Sequence, residues 1–415
     1  MSTVERLLDD DDLAGMTAEL KEWPNSTWGS DEQELGVSPF LTFYFLYDTR
    51  RSTETSLLMV DIHEAFEKLT GQSYLIGTHP DSERPHPYGS KRLPDLREFA
   101  RKTKKGDYFS FKVSSEKNHR SSPATAGYFW KLRDYMNDRD GPGNKGYSSI
   151  QFYYRWAWFK ENKSAWRNFV LQSIERLRPE VVYSGFAFAN PLEHGTRAEV
   201  SVWERALTPR FYGLDIDFPF GMDHLGDGIR PPTWGFLLSD TSCSKLDMSR
   251  EQVRDSLHHP EINIIEVQNG LWIELGDEPS LFPVEEGVPA LPKLLNRLIK
   301  PIRNDHTDLL GFPQWDGDPN ERFSNKDSMR WLQRFDDDSD WPSLDKRRPS
   351  LKATVDPSSQ VDISELRAKA RSPCPKTGTW QSIDPQERRQ HFELGEPMGS
   401  LESNYGLTVW RYLGN

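Results

Sequence analysis

The sequence predicts an α+β fold with a mixed, largely antiparallel sheet flanked by helices, and three observations carry that prediction. Apolar, strand-like runs alternate with segments of helical spacing over residues 35–302, the pattern of helices laid against a sheet. Asn269-Gly270 lies within the alternating stretch INIIEVQNGLWIEL, and a two-residue turn there demands at least one antiparallel pairing. The chain also carries 22 Phe, 14 Trp and 14 Tyr, so a large core is available although hydrophobic residues make up only 35% of its 415 residues.

Taken in order, residues 1–34 are polar, with an Asp run at 9–12, and are expected to form a loosely ordered lead-in that adds little to the core. FLTFYFLYD (40–48) is a buried-strand run, and SLLMVDIHEAFEKLTG (56–71) has helical spacing with a glycine stop. LPDLREFARKT (93–103) predicts a helix, YFSFKVSS (108–115) an alternating strand and DRDGPGNKG (138–146) a turn-rich loop. IQFYYRWAWF (150–159) predicts an aromatic strand, AWRNFVLQSIERLRPE (165–180) an amphipathic helix and VVYSGFAFANP (181–191) a strand ended by Asn-Pro. RAEVSVWERALTPRF (197–211) is helical, WGFLLSD (234–240) a strand, SREQVRDSLHH (249–259) a capped helix and LPKLLNRLIKPI (291–302) the closing helix of the main domain, 35–302.

After residue 302 the composition changes. DGDPNERFSNKD and FDDDSDWPSLDKRRPS are rich in Asp, Pro and Ser, so 303–371 is expected to be an acidic, loop-rich linker, with long surface loops over 303–360. CPKTGTW (374–380) and the alternating YGLTVWRYL (405–413) belong to a small C-terminal module, 372–415, which completes an irregular C-terminal extension.

A formal charge of −12 argues against nucleic acid as the direct partner, because phosphate binding needs clustered Lys and Arg. A basic protein partner fits better. The opening MSTVERLLDDDDLAG lacks the basic start and apolar run of a signal peptide, and no run approaches ~18 apolar residues, so the cytoplasm is the expected compartment. Cys243 and Cys374 are too few for a disulfide framework or a cysteine metal site and are expected to be thiols.

The densest cluster of candidate ligands is GLDIDFPFGMDHLGDGI (213–229). Asp215 and Asp217 would share one face of a strand, and with His224 and Asp227 they could hold a hard divalent cation. Turn geometry selects the same residue types through local side-chain to backbone bonds. A framework role is therefore expected for Gly213, Asp215, Asp217, Gly226, Asp227, Gly228 and Trp234, with no metal bound; a metal-dependent hydrolase using Asp215, Asp217 and Asp227 is the alternative. No G-x-S-x-G, P-loop, G-x-G-x-x-G or H-E-x-x-H motif is present, and His258-His259-Pro260 reads as a solvated helix end. The remaining candidates are acidic loops: Asp316 and Asp318; Asp336, Asp337, Asp338 and Asp340; and Glu285-Glu286. Trp315, Trp331 and Trp341 stand beside them, and an aromatic anchor in a charged rim is how interface hot spots are built, which makes Trp341 the candidate anchor for a basic partner.

The run RALTPRFYGLDIDFPFGMDHLGDGIRPPTWGFLLSD, followed by GLWIELGDEP and VPALPKLLNRLIKPIR, resembles the type VI secretion immunity family found beside VRR-NUC nuclease toxins. The tail CPKTGTWQSIDPQERRQHFELGEPM with YGLTVWRYL is similar to a C-terminal module of several type VI immunity proteins. Together these segments cover roughly 35–302 and 372–413. The resemblance implies a non-enzymatic protein, without cofactor, that binds a cognate secreted toxin and blocks its active site or substrate groove. An adaptor that chaperones an effector without inhibiting it is the rival binding role.

Overall fold

The apolar run around FLTFYF becomes the spine of the fold. In the computed structural model, which describes residues 7–30, 33–46, 51–71, 74–104, 107–131, 147–193, 196–217, 225, 228–304, 310–312, 314–315, 318–345, 366–382, 388–401 and 408–414, it lies within a 13-residue strand, Gln33–Phe45, buried from Leu35 onward. The chain divides into two compact units, Met1–Lys346 and Arg347–Asn415.

The first unit begins with α1 (Asp10–Glu22), β1 (Thr27–Ser30), β2 (Gln33–Phe45), α2 (Ser52–Thr70), β3 (Ile76–Thr78), β4 (Pro85–Pro87), α3 (Leu96–Lys102), β5 (Phe109–Ser114), β6 (Ala126–Lys131) and β7 (Ser148–Tyr153). It continues through α4 (Trp156–Leu177), β8 (Val181–Phe188), α5 (Arg197–Leu207), β9 (Leu214–Asp215), β10 (Gly235–Ser239), α6 (Asp240–Lys245), α7 (Arg250–Ser256), β11 (Ile262–Val267) and β12 (Gly270–Leu275) to α8 (Ala290–Ile299) and α9 (Asn325–Leu332). Ten strands follow the order β11-β12-β10-β8-β2-β7-β6-β5-β3-β4, with β1 added on β2 and β9 on β8. Every pairing is antiparallel except β8 with β9. β2 is central, with β7 on one side and β8 on the other.

Alternation along β2 sorts its side chains between two environments. Leu41 and Phe43 pair with Phe152 and Ile150 of β7, and Phe152 stacks on Phe66 of α2 with ring centroids 4.1 Å apart. On the opposite face Thr42 pairs with Gln151 and with Tyr183 of β8, a polar row inside the protein.

Four expectations change on folding. Residues 1–34 contain α1, which Asp9 caps by accepting from the Asp11 and Asp12 amides, and whose Met16 and Leu20 are buried. Trp156 opens α4 rather than extending a strand, because Trp156 and Phe159, three apart, stack at 5.3 Å and bury together as one helical turn. In the hairpin, Val267 pairs with Gly270, so the two-residue turn is Gln268-Asn269. Gly270 is then required by close packing, since a Cβ there would lie 2.3 Å from the Leu238 carbonyl oxygen. Finally, the described part of 310–345 builds a satellite core of Tyr212, Ile216, Leu310, Phe323, Trp331, Leu332, Phe335 and Trp341, so it is not a set of surface loops.

The second unit contains β13 (Arg367–Lys369), β14 (Gly378–Ser382), β15 (Arg389–Phe392) and β16 (Val409–Gly414) in one antiparallel sheet ordered β13-β16-β14-β15. Ala368, Cys374, Trp380, Phe392, Met398, Trp410 and Tyr412 form its own core.

Candidate functional site

The polar row of the large sheet receives the carboxylates of the GLDID segment. Asp217 accepts from the Thr42 hydroxyl at 2.9 and 2.8 Å, from the Gln151 amide and from the Tyr153 hydroxyl at 3.4 Å, while its backbone carbonyl accepts from Asn190 at 2.8 Å. Burial pushes the Asp217 carboxyl up to about 6, against the downward pull of the Gln151 and Thr42 hydrogen bonds. Asp215 is held differently. It accepts from the Ile216 amide at 2.6 Å and from Arg230, whose guanidinium lies over the Tyr183 ring at 5.5 Å and the Trp331 ring at 5.6 Å. Arg334 approaches the second Asp215 oxygen to 3.9 Å, lies 3.8 Å over Trp331, and donates to the Tyr212 and Trp331 carbonyls.

These carboxylates are therefore occupied by protein donors, one neutral set and one cationic set: Asp217 ties its segment to the sheet strands, and Asp215 ties it to Arg230 and Arg334. Among the described residues no group of three His, Cys, Asp or Glu side chains could hold a metal ion. His224, Gly226 and Asp227 lie outside the described residues. Gly213 and Gly228 sit where backbones touch: an added Cβ would come within 2.1 Å of the Ser280 carbonyl oxygen in one case and 2.6 Å of the Asn304 amide in the other. Trp234 is buried against Phe159 and Trp166 and donates its indole N–H to the Gly276 carbonyl.

The acidic loops separate into internal and surface groups. Asp336 is buried, bonded to Arg303 at 2.7 and 2.9 Å, to Asn296 at 2.7 Å and to Lys300 at 2.9 Å; burial raises its carboxyl, but these partners outweigh that and hold it at about 2. Asp318 is buried on Arg322 at 2.8 Å and accepts from the Asn320 amide. Trp341 is only 4% exposed and Trp331 fully buried. The expectation that Asp318, Asp336 and Trp341 meet a partner is corrected on this ground: core packing and internal ion pairs have already taken them. Asp316 lies outside the described residues.

Exposed carboxylates remain around the same satellite core, because Phe282 and Val284, next to Glu285 and Glu286, pack on it with Leu344. Asp337 pairs with Lys293 and Arg297 at 2.8 and 2.7 Å, Asp340 with Arg330 at 2.9 Å and Glu285 with Lys21. Asp338 has an 87% exposed side chain with Lys300 3.7 Å away, and Glu286 is exposed. Trp315 is 45% exposed and lies under the Arg322 guanidinium at 4.3 Å.

Sequence reasoning missed a cleft of about 400 Å³ between α2, α3 and β3–β5, lined by His63, Glu64, Glu67, Tyr88 and Arg97 among others. The Tyr88 hydroxyl bridges His63 Nε2 at 3.0 Å and the Glu67 carboxylate at 3.1 Å. Burial pushes His63 down to about 4, leaving it neutral at pH 7. No motif marks the trio because its members come from a helix and a later turn.

Three comparisons bear on what such an arrangement serves. The TsiV family model, described as type VI immunity for VRR-NUC, matches residues 65–335. No curated protein matches. Among solved structures, the Pseudomonas aeruginosa T6SS protein PA0821 superposes with a TM-score of 0.68 at 20% identity, covering 79% of this chain and 91% of that one, a likeness of fold.

Proposed function

Since the chain belongs to the TsiV family, type VI immunity proteins for VRR-NUC toxins, we propose that it neutralises its cognate toxin by stoichiometric binding that covers the active site or substrate groove. The family match over 65–335 is the observation that carries this reading. Its role is that of an inhibitor, not of an enzyme. A nuclease presents Lys and Arg to bind phosphates, and a surface rimmed by Asp337, Asp338, Asp340, Glu285 and Glu286 with Trp315 offers those cations carboxylates in place of the phosphodiester. Several of these carboxylates carry cations of their own, so binding exchanges internal ion pairs for intermolecular ones and tunes specificity and association rate more than affinity. The occupied state of Asp215 and Asp217 speaks against the hydrolase alternative.

The cytoplasm is the proposed compartment. Among the described residues no helix is long and apolar enough to cross a membrane, and a toxin that cuts DNA must be met where the DNA is. The test is titration of the purified cognate nuclease with this chain while DNA cleavage is followed. Activity should fall in proportion to added chain and vanish near one equivalent. Protection at strongly substoichiometric amounts would instead indicate an enzyme that modifies the toxin, and unchanged cleavage with a measurable complex would indicate an adaptor.

A further inference from the structure

The second unit lies beyond the family match, which ends at residue 335, and one face of its sheet carries an arrangement that packing does not explain. Trp380, Phe392, Trp410, Tyr412 and Ala368 point into the unit's core, so strand alternation turns their neighbours Arg367, Lys369, Arg411, Gln381, Arg389 and His391 to the other face. Register then aligns them. Arg367 stands opposite Arg411, Arg411 opposite Gln381, and Gln381 opposite Arg389. One row thus crosses all four strands with three guanidinium groups and one amide, and at ~4.8 Å between strands it is about 14 Å long.

Arg367, Arg389 and Arg411 are exposed, and among the described residues none of them is in an ion pair; the one bond to the row is from Arg411 to the Gln381 side-chain oxygen at 3.4 Å. Cations on edge strands discourage edge-to-edge pairing, which accounts for Arg367, Lys369 and Arg389. Arg411 is on the interior strand β16, directly across from Arg367, where like charges oppose each other and destabilise the pairing. An anion shared between them removes that penalty.

We propose that this face binds an acidic protein segment in extended form, its carboxylates bridging Arg367, Arg411 and Arg389. Guanidinium groups match carboxylates two bonds at a time. Val409 and Leu413 share the face, Leu413 with 43% of its surface exposed, and suit apolar side chains alternating with the acidic ones. Nucleic acid fits less well: the described Trp and Tyr rings of the unit are in its core and offer no stacking platform. This site is independent of the toxin-binding reading.

Fluorescence anisotropy on the full chain tests the proposal with two labelled probes, a peptide alternating Glu and Leu and a single-stranded oligothymidylate of equal charge. The peptide should bind more tightly than the oligonucleotide. Arg367→Thr with Arg411→Thr should weaken peptide binding at least tenfold, whereas Arg101→Ser with Lys104→Ser on the first unit should leave it unchanged. Arg367→Glu with Arg411→Glu should lose the Glu-Leu peptide and, while its circular dichroism and melting stay those of wild type, bind a peptide alternating Lys and Leu at least tenfold more tightly than wild type does. The proposal is overturned if wild type does not bind the peptide, if the Thr pair binds it as well as wild type, if the charge-reversed pair gains nothing, or if the oligonucleotide binds more tightly.

Discussion

Asp217 and Asp336 show how differently two buried carboxylates can be held. Asp217 has only neutral donors, and burial pushes it up to about 6 despite them. An unfolded Asp titrates near ~3.9, so the stability this group contributes is complete below about pH 4 and is lost as the pH rises through about 6. Asp217→Asn removes the titration. The stability of wild type relative to the variant, from urea unfolding, should therefore fall by of order 3 kcal/mol between pH 4 and pH 7; a pH-independent difference would refute the assignment. Asp336 has the opposite sign, since Arg303 and its neighbours hold it at about 2, and its contribution is present above about pH 4 and lost as the pH drops through 2. Asp336→Ala removes the bidentate carboxylate from the buried Arg303 and should cost about 3–5 kcal/mol, whereas Asp338→Ala, on the surface, should stay within about 0.5 kcal/mol. Both residues lie in one acidic run of the sequence, which records their charge but not the cation that awaits one of them.

At the scale of elements, α9 was legible in part. Ser324 and Asp327 form a capping box, the S-x-x-D signature of a helix start, but the surrounding Asp and Pro residues obscure it. Its packing was not legible, because Trp331 and Trp341 meet Tyr212 and Ile216 from a segment about a hundred residues earlier. Trp341→Ala should leave a cavity in this satellite core and cost about 3–5 kcal/mol in thermal or denaturant unfolding. A loss under 1 kcal/mol would mean that Trp341 is a surface residue in solution. If the exposed carboxylates around this core meet the toxin, Asp338→Asn with Asp340→Asn and Glu286→Gln should slow association several-fold at low salt. Little change is expected above physiological strength, where the Debye length is ~8 Å or less. Equal rates at low salt in stopped-flow measurements would move the contact surface elsewhere. WAWF reads as a strand in the sequence and is helical in the fold for a related reason: an apolar run suits a strand or a buried helix, and the partners of Trp156 and Phe159 decide between them.

For the whole molecule, the two units have separate cores, and the inhibitor's family signature lies in the first. We propose that residues 1–346 fold and protect without the second unit. A fragment ending there should melt cooperatively and block the cognate nuclease at one equivalent; a fragment that is unfolded by circular dichroism, or folded but without protective effect, would show that the second unit is needed.

The sequence by itself determined the α+β class, the antiparallel character of the sheet and the membership of an inhibitor family, because hydrophobic period, hairpin geometry and the order of segments around GLDID are local properties of the chain. Tertiary structure alone decided which charges are spent inside. Thr42, Gln151, Arg230 and Arg334 reach Asp215 and Asp217 from strands and loops far apart in sequence, and the cross-strand row of Arg367, Arg411 and Arg389 exists only once register is fixed. Charge is written residue by residue, but whether it faces a partner, an internal cation or water depends on long-range pairing, which no local pattern encodes.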